Sequence, residues 1–170
     1  MSILVAYSSK HGSTESIAGR IAARLRMVGC EVDLRPVEEV RQPEAYEAVV
    51  LGSAVYFGSW MKQAAEFVRR HEASLDHVPV WLFSVGPLGT TKDQRQPDPK
   101  EIAEFQPMIH PREHHLFFGV LDRSRLSLPE RLVAQAVKAP EGDFRDWDDI
   151  ETWAMGIAHQ LADIQTVPHG

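Results

Sequence analysis

Hydrophobic positions along the chain fall into two alternating rhythms. Residues 3–7, Ile-Leu-Val-Ala-Tyr, form a short unbroken apolar run, as in a strand covered on both faces. Over residues 13–28, Ile17, Ile21, Leu25 and Val28 recur at helical spacing with Ala18 and Ala22 beside them, and Gly29 supplies a left-handed stop. Residues 31–36 alternate Val32 and Leu34 with polar neighbours, which predicts a strand near a sheet edge. Residues 48–52 predict another buried strand, and 61–75 a helix whose stripe is Met61, Ala64, Ala65, Phe67 and Val68. Further strands are predicted over 79–85 and 115–121. Shorter helices follow over 99–105 and 128–137, and a long one over 147–161 has Asp146 as its N-cap.

Strand and helix therefore alternate along almost the whole chain. The pattern predicts an α/β fold, one domain over residues 1–170, with a parallel sheet, right-handed crossovers and helices on both faces. Ligands of such sheets bind beyond the carboxyl ends of the strands, where strand order reverses. The informative loops are thus those after the first, third and fourth strands.

Composition narrows the function classes. A net charge of −6, with no clustered Lys and Arg, argues against a nucleic-acid partner. Cys30 is the only cysteine, so neither an intrachain disulfide nor a multi-cysteine metal site is expected, and a reducing compartment fits. No secretory lead is recognisable, and no apolar run approaches the ~20 residues of a membrane helix. The expected location is cytoplasmic.

The first loop, Ser9-Lys10-His11-Gly12-Ser13-Thr14, carries hydroxyls and a glycine where a buried strand becomes a helix. A helix start leaves unpaired amides and a partial positive charge, so the set reads as a phosphate cradle. A plain Ser or Thr N-cap would account for one hydroxyl with nothing bound. The signatures of triphosphate and dinucleotide sites are absent, which leaves a monophosphate. The second loop, Ser53-Ala54-Val55-Tyr56-Phe57-Gly58, continues to Trp60; its aromatics either stack on a planar ring or cap the core. The third, Ser84-Val85-Gly86-Pro87-Leu88-Gly89, exposes backbone groups to the edge of a heterocycle, or is a Gly/Pro surface turn. A phosphate cradle, an aromatic loop and a backbone-rich loop converge on a ring with a phosphate tail, and FMN matches.

With these residues in view, the chain resembles the flavodoxin-like superfamily. "YSSKHGSTE" is similar to its phosphate loop at Ser9, Gly12 and Thr14, with His11 where the family usually has Thr. "YFGSWMKQAAEFVRRHEASL", "GVLDRSR" and "DWDDIETWAMGIAHQL" resemble the menaquinone-dependent protoporphyrinogen IX dehydrogenases of bacterial haem synthesis. The likeness is weakest over 86–113 and 124–145. It implies a three-layer sandwich with strand order 2-1-3-4-5 and a noncovalent FMN. It also implies an oxidoreductase whose electron donor or acceptor is a redox partner or a small molecule, such as a quinone or porphyrinogen. The family's long basic and aromatic segment, thought to meet membrane or quinone, is here shorter and has no aromatic over 124–143. An ordinary helix packed on the sheet is expected there in preference to a peripheral membrane contact.

In either reading the flavin does the chemistry, and no protein acid or base is assigned. Residues 53–61 contain no Asp or Glu, so a reduced, anionic flavin would be less penalised than among acidic loops. This favours an enzyme over the alternative, an electron shuttle without its own substrate; a flavin-free binding module is the third class. His110, His114 and His115 suggest a metal by proximity, but Pro111 and strand alternation prevent convergence. Lys92, Arg95 and Lys100 offer charge to an anionic substrate, or a solvated loop. Trp147 and Trp153, on different faces of the last helix, suggest one core ring and one for contact with another chain, as in a homodimer.

Overall fold

Ile3, Leu4, Val5 and Ala6 have no exposed surface, so the first strand is covered on both sides, as its unbroken apolar run demands. The computed structural model describes residues 1–86, 97–136 and 141–167. Strand β1 (Ser2–Ser8) pairs in parallel with β2 (Glu31–Pro36) on one side and β3 (Ala48–Tyr56) on the other. A two-residue strand, β4 (Ser59–Trp60), folds back antiparallel on the end of β3. Beyond β3 lie β5 (Val80–Gly86) and β6 (Glu113–Phe118), giving the order β2-β1-β3-β5-β6. Counted over the five principal strands, this is the expected 2-1-3-4-5.

Period-two alternation sorts the strand residues between two cores. Ile3, Val5, Val50, Trp81 and Phe83 face helices α1 (Ser13–Met27) and α6 (Trp147–Thr166). Leu4, Ala6, Val49, Leu51 and Leu82 face α2 (Lys62–Arg70), α3 (Glu72–Leu75) and α4 (Lys100–Ile109). Gly52 is fixed by this packing: a Cβ there would lie 2.0 Å from the Phe83 ring. Asp146 caps α6 as predicted, accepting from the Asp149 amide at 3.1 Å. Trp153 is core, whereas the Trp147 ring is covered within the chain by the Arg20 and Arg145 guanidiniums, 4.4 and 4.8 Å from its centroid.

Two differences from the sequence reading bear on the site. The predicted helix over 61–75 breaks at His71 into α2 and α3. The last predicted strand breaks at Gly119, whose amide donates to the Gly86 carbonyl. A Cβ at 119 would meet Ser13 Oγ at 2.8 Å and Val85 Cγ1 at 2.9 Å, so only glycine lets the chain pass there. Past it, β7 (Val120–Leu121), α5 (Leu128–Ala136) and β8 (Gly142–Asp143) form a separate unit, with β7 and β8 paired antiparallel. The helix expected to pack on the sheet does not do so. Leu121, Leu126, Ala134 and Phe144 build a small cluster of their own, and α5 reaches the loop after β1.

Candidate functional site

The carboxyl ends of β1, β3 and β5 carry a register-matched row of buried serines, Ser8, Ser53 and Ser84. Their hydroxyls fasten the turn after β3. The Met61 amide donates to Ser53 Oγ at 3.0 Å, and the Trp60 indole donates to Ser84 Oγ at 2.7 Å. The Trp60 amide donates to the buried Glu101 carboxylate at 3.1 Å, and the Trp60 ring packs edge-on against Phe105. Trp60 is therefore a core anchor. Ser53 and Ser84, candidates for cofactor contact, spend their side chains supporting the loop.

Behind Ser84 lies His114, with Nε2 2.7 Å from the serine Oγ and Nδ1 3.5 Å from Asp98. The order is that of a hydrolytic triad, but Ser84 has no exposed surface and already accepts from an indole. It is framework. Burial pushes the His114 imidazole below its ordinary value, against the pull of Asp98, which keeps the ring neutral in this network. The other two histidines of the cluster go elsewhere, His110 to Asp76 at 2.7 Å and His115 to Asp149 at 2.9 Å. Among the described residues no three metal-ligating side chains converge.

On this platform two loops face each other. In the loop after β1, Gly12 takes φ +91° and caps α1 with no side-chain hydrogen bond. Its amide donates to Ser9 Oγ at 3.1 Å. Thr14 is fully buried in the first turn and its Oγ1 has no partner among the described residues, an uncommon state for an interior hydroxyl. Across the gap, Tyr56 is half-buried and its phenol is pushed up to about 12 by burial and by Glu130. Phe57 is 72% exposed at φ +52°, and Gly58 follows at φ +75°. Left-handed geometry at a phenylalanine is costly and turns its ring outward from the sheet end.

Two cavities border the loop after β1, and the smaller also reaches the loop after β3. One, of about 300 Å³, lies over Gly12 and Ser13, walled by His11, Val120, Asp122, Arg125, Leu126 and Arg145. A cleft of about 20 Å³ lies between His11, Ser13, Ala54, Val55, Tyr56 and Val85, closed by Val120, Leu121 and Leu126. Of the predicted site residues, His11, Gly12, Ser13, Ala54, Val55, Tyr56 and Val85 line one or other cavity. Pro87, Leu88 and Gly89 lie outside the described residues, as do Lys92 and Arg95.

Sequence reasoning missed the wall contributed by residues 119–145. Arg125 Nη1 donates to the His11 carbonyl at 3.3 Å, and Arg145 Nη1 donates to Ser16 Oγ at 2.9 Å in the first turn of α1. Glu130, from α5, is 8% exposed and accepts from Lys10 Nζ and from His11 Nε2, the latter at 3.1 Å. Burial would raise its carboxyl, but these two bonds outweigh it and hold the group below the usual carboxylate range. Lys10 Nζ also stands 5.1 Å from the Tyr56 ring centroid, and the His11 ring is edge-on to Tyr56 at 6.1 Å. The neighbourhood of the aromatic loop therefore holds two buried carboxylates, Glu101 and Glu130, although residues 53–61 have none. Only the acid-free segment was visible in the sequence.

The orphaned Thr14 hydroxyl, the uncapped helix start and the cavity over Gly12 and Ser13 fit the anionic end of a cofactor, and Tyr56 and Phe57 fit a flat ring. Residues 4–148 match the model of the flavodoxin domain. Protoporphyrinogen IX dehydrogenase [quinone] of Escherichia coli K12 is 24% identical, the match covering 94% of this chain and 96% of that one. Among solved structures, an archaeal flavodoxin superposes with TM-score 0.64 at 16% identity, covering 95% of this chain and 99% of the other. Oxidised flavodoxin 2 of Bacillus cereus superposes with TM-score 0.61 at 23% identity, covering 94% and 99%. With the family match extending over most of its length, the chain belongs to the flavodoxin domain family, and that membership points to a flavin cofactor.

Proposed function

We propose that this protein is an FMN-dependent oxidoreductase that passes electrons between a small-molecule donor and an acceptor of the quinone class. The observation that carries the reading is the buried Thr14 Oγ1, without a partner among the described residues, beside the Gly12 cap and next in the chain to Ser13, which lines a cleft reaching Ala54, Val55 and Tyr56. A bound flavin supplies reversible hydride and electron transfer. The chain's own task is placement. Ser9, Lys10, His11, Gly12, Ser13 and Thr14 hold the phosphate through amides and hydroxyls. Ala54, Val55, Tyr56, Phe57 and Gly58 line the ring, and the backbone of Ser84, Val85 and Gly86 continues the same rim, with Pro87, Leu88 and Gly89 next in the chain. Ser53 and Ser84 keep the ring loop rigid through Met61 and Trp60. Apolar Val85, Leu121 and Leu126 restrict water at the ring side of the cleft.

Kinship with a quinone-linked protoporphyrinogen IX dehydrogenase favours a quinone as acceptor and a porphyrinogen as donor. None of the described helices is long and apolar enough to cross a membrane. The test has two steps. Purified protein is expected to show flavin absorbance, and the released chromophore is expected to have the mass of FMN. Protein that is colourless and takes up no FMN overturns the reading. Turnover of a porphyrinogen with a quinone then supports the enzyme, whereas flavin that only exchanges electrons with protein partners supports a shuttle.

A further inference from the structure

Lys10 and His11 are the two basic side chains of the loop after β1, and both are engaged by one carboxylate. That carboxylate, Glu130, comes from a helix 119 residues further along the chain than His11, and it is nearly buried. We propose that Glu130 is an internal competitor for the anionic end of the cofactor, so that it lowers the site's preference for phosphorylated over unphosphorylated flavin. The inference rests on the FMN reading above.

The physical case has three parts. First, a phosphate at Gly12–Thr14 and the Glu130 carboxylate want the same cations. With both present, either they repel across a partly desolvated gap or Glu130 lets go. Second, α5 is weakly anchored by apolar packing. Among the described residues Leu121 and Ala134 are buried in its cluster, with Leu126 and Phe144 packed against them, while Leu128 and Leu132 on the helix itself are 71% and 60% exposed. Its described attachment to the loop after β1 is polar, from Glu130 to Lys10 and His11, and Arg125, just ahead of the helix, donates to the His11 carbonyl. Third, Arg125 and Arg145 border the cavity over Gly12 and Ser13, but both are already committed to carboxylates, Asp122 and Asp143. Among the described residues, freed Lys10 and His11 are then cations available to a phosphate at this loop.

The test compares flavins that differ only in the phosphate. The full chain, stripped of flavin, is titrated with FMN and with riboflavin at fixed ionic strength, reading the quenching of flavin fluorescence. Glu130→Gln keeps the shape of the side chain and its place in the first turn of α5 while removing the charge. It is expected to tighten FMN by about tenfold or more and to change riboflavin by less than about threefold. In a Lys10→Met background the same substitution is expected to gain much less. Equal changes for both flavins, or a loss of FMN affinity, overturn the proposal and leave Glu130 a structural tie. Should Glu130→Gln fail to fold, Glu130→Met carries the same expectation. Wild-type protein that binds neither flavin overturns the FMN reading itself; wild-type protein that binds FMN with an unchanged ratio in the variant overturns only the role of Glu130.

Discussion

Thr14 offers the most economical test at the scale of a residue. A buried hydroxyl without a partner costs the folded protein on the order of 1–3 kcal/mol, and here that hydroxyl sits in the first turn of α1. Valine has the same shape without the polar atom. Thr14→Val is therefore expected to raise the unfolding free energy of the flavin-free chain by about 1 kcal/mol in urea titration. The same variant is expected to bind FMN about tenfold less tightly. Opposite signs for stability and affinity separate a binding hydroxyl from an ordinary helix residue; a loss of both marks Thr14 as structural. The candidates Ser9 to Thr14 were legible because a strand, a glycine and three hydroxyls are local in sequence. Glu130 was not legible, because its meaning comes from Lys10 and His11, which only the fold brings to it. Trp60 was half legible: its place in the aromatic loop was plain, but its indole is used by Ser84 beneath the loop rather than by the cavity.

At the scale of elements, hydrophobic rhythm sufficed wherever an element is buried by its own neighbours. The five principal strands and α1, α2, α4 and α6 form where they were expected, and the predicted stripes are buried at Ile17, Ile21 and Leu25 of α1 and at Ala64, Ala65, Phe67 and Val68 of α2, whereas Val28 is 47% exposed. The failures have local causes. The last stretch of β3 continues through Ser53 and Ala54, where a buried serine masks the strand rhythm. Helix α4 runs to Ile109, past the expected end at 105, with Pro107 inside its last turn. Gly52 is the counterpart in the sheet: its lack of a side chain is required by Phe83 on the adjacent strand, which is register-paired with it. Gly52→Ala is expected to destabilise the protein by about 3 kcal/mol, since the methyl group and the phenyl ring cannot both fit. Urea denaturation reads this directly. Phe83→Leu in the alanine background is expected to recover part of the loss, because the smaller side chain vacates the overlap; a purely additive further loss rules the overlap out as the cause.

At the scale of the molecule, the sheet and its helices form a frame, and residues 119–136 and 141–145 form a unit whose described ties to it include the Glu130 pairs with Lys10 and His11 and the Arg125 and Arg145 hydrogen bonds. Three of its carboxylates are held below their usual range. For Glu130, burial pushes upward but is outweighed by the bonds from Lys10 and His11. Asp143 is held down by its hydrogen bonds from Arg145, and Asp122 by the hydroxyl and amide of Ser124. A carboxylate held below its free value lends stability that is fully present above that value and is lost as pH falls through the held one. Glu130 and Asp143 act in the same direction: Glu130 ties α5 to the loop after β1, and Asp143 orients the Arg145 that reaches Ser16 of α1. Acid should therefore release this unit as Glu130 and Asp143 take up protons. The cores of Ile3, Val50 and Phe83 and of Leu4, Leu51 and Leu82 are apolar. Their buried titrating neighbours, Glu101 and the His114 that burial holds below its ordinary value, sit at α4 and β6, where charging His114 costs stability as pH falls. In amide NMR spectra followed from pH 7 downward, signals of Leu121, Leu126, Ala134 and Phe144 are expected to shift and broaden only below the usual carboxylate range, as Glu130 and Asp143 take up protons. Those of Val5, Val50 and Phe83 are expected to hold to lower pH. Flavin affinity measured along the same titration should fall only after the Glu130 signal has moved, since protonating Glu130 first frees Lys10 and His11 for the phosphate. Simultaneous collapse of both sets of signals would mean that the unit is part of the frame and that its ion pairs are incidental to how the site opens.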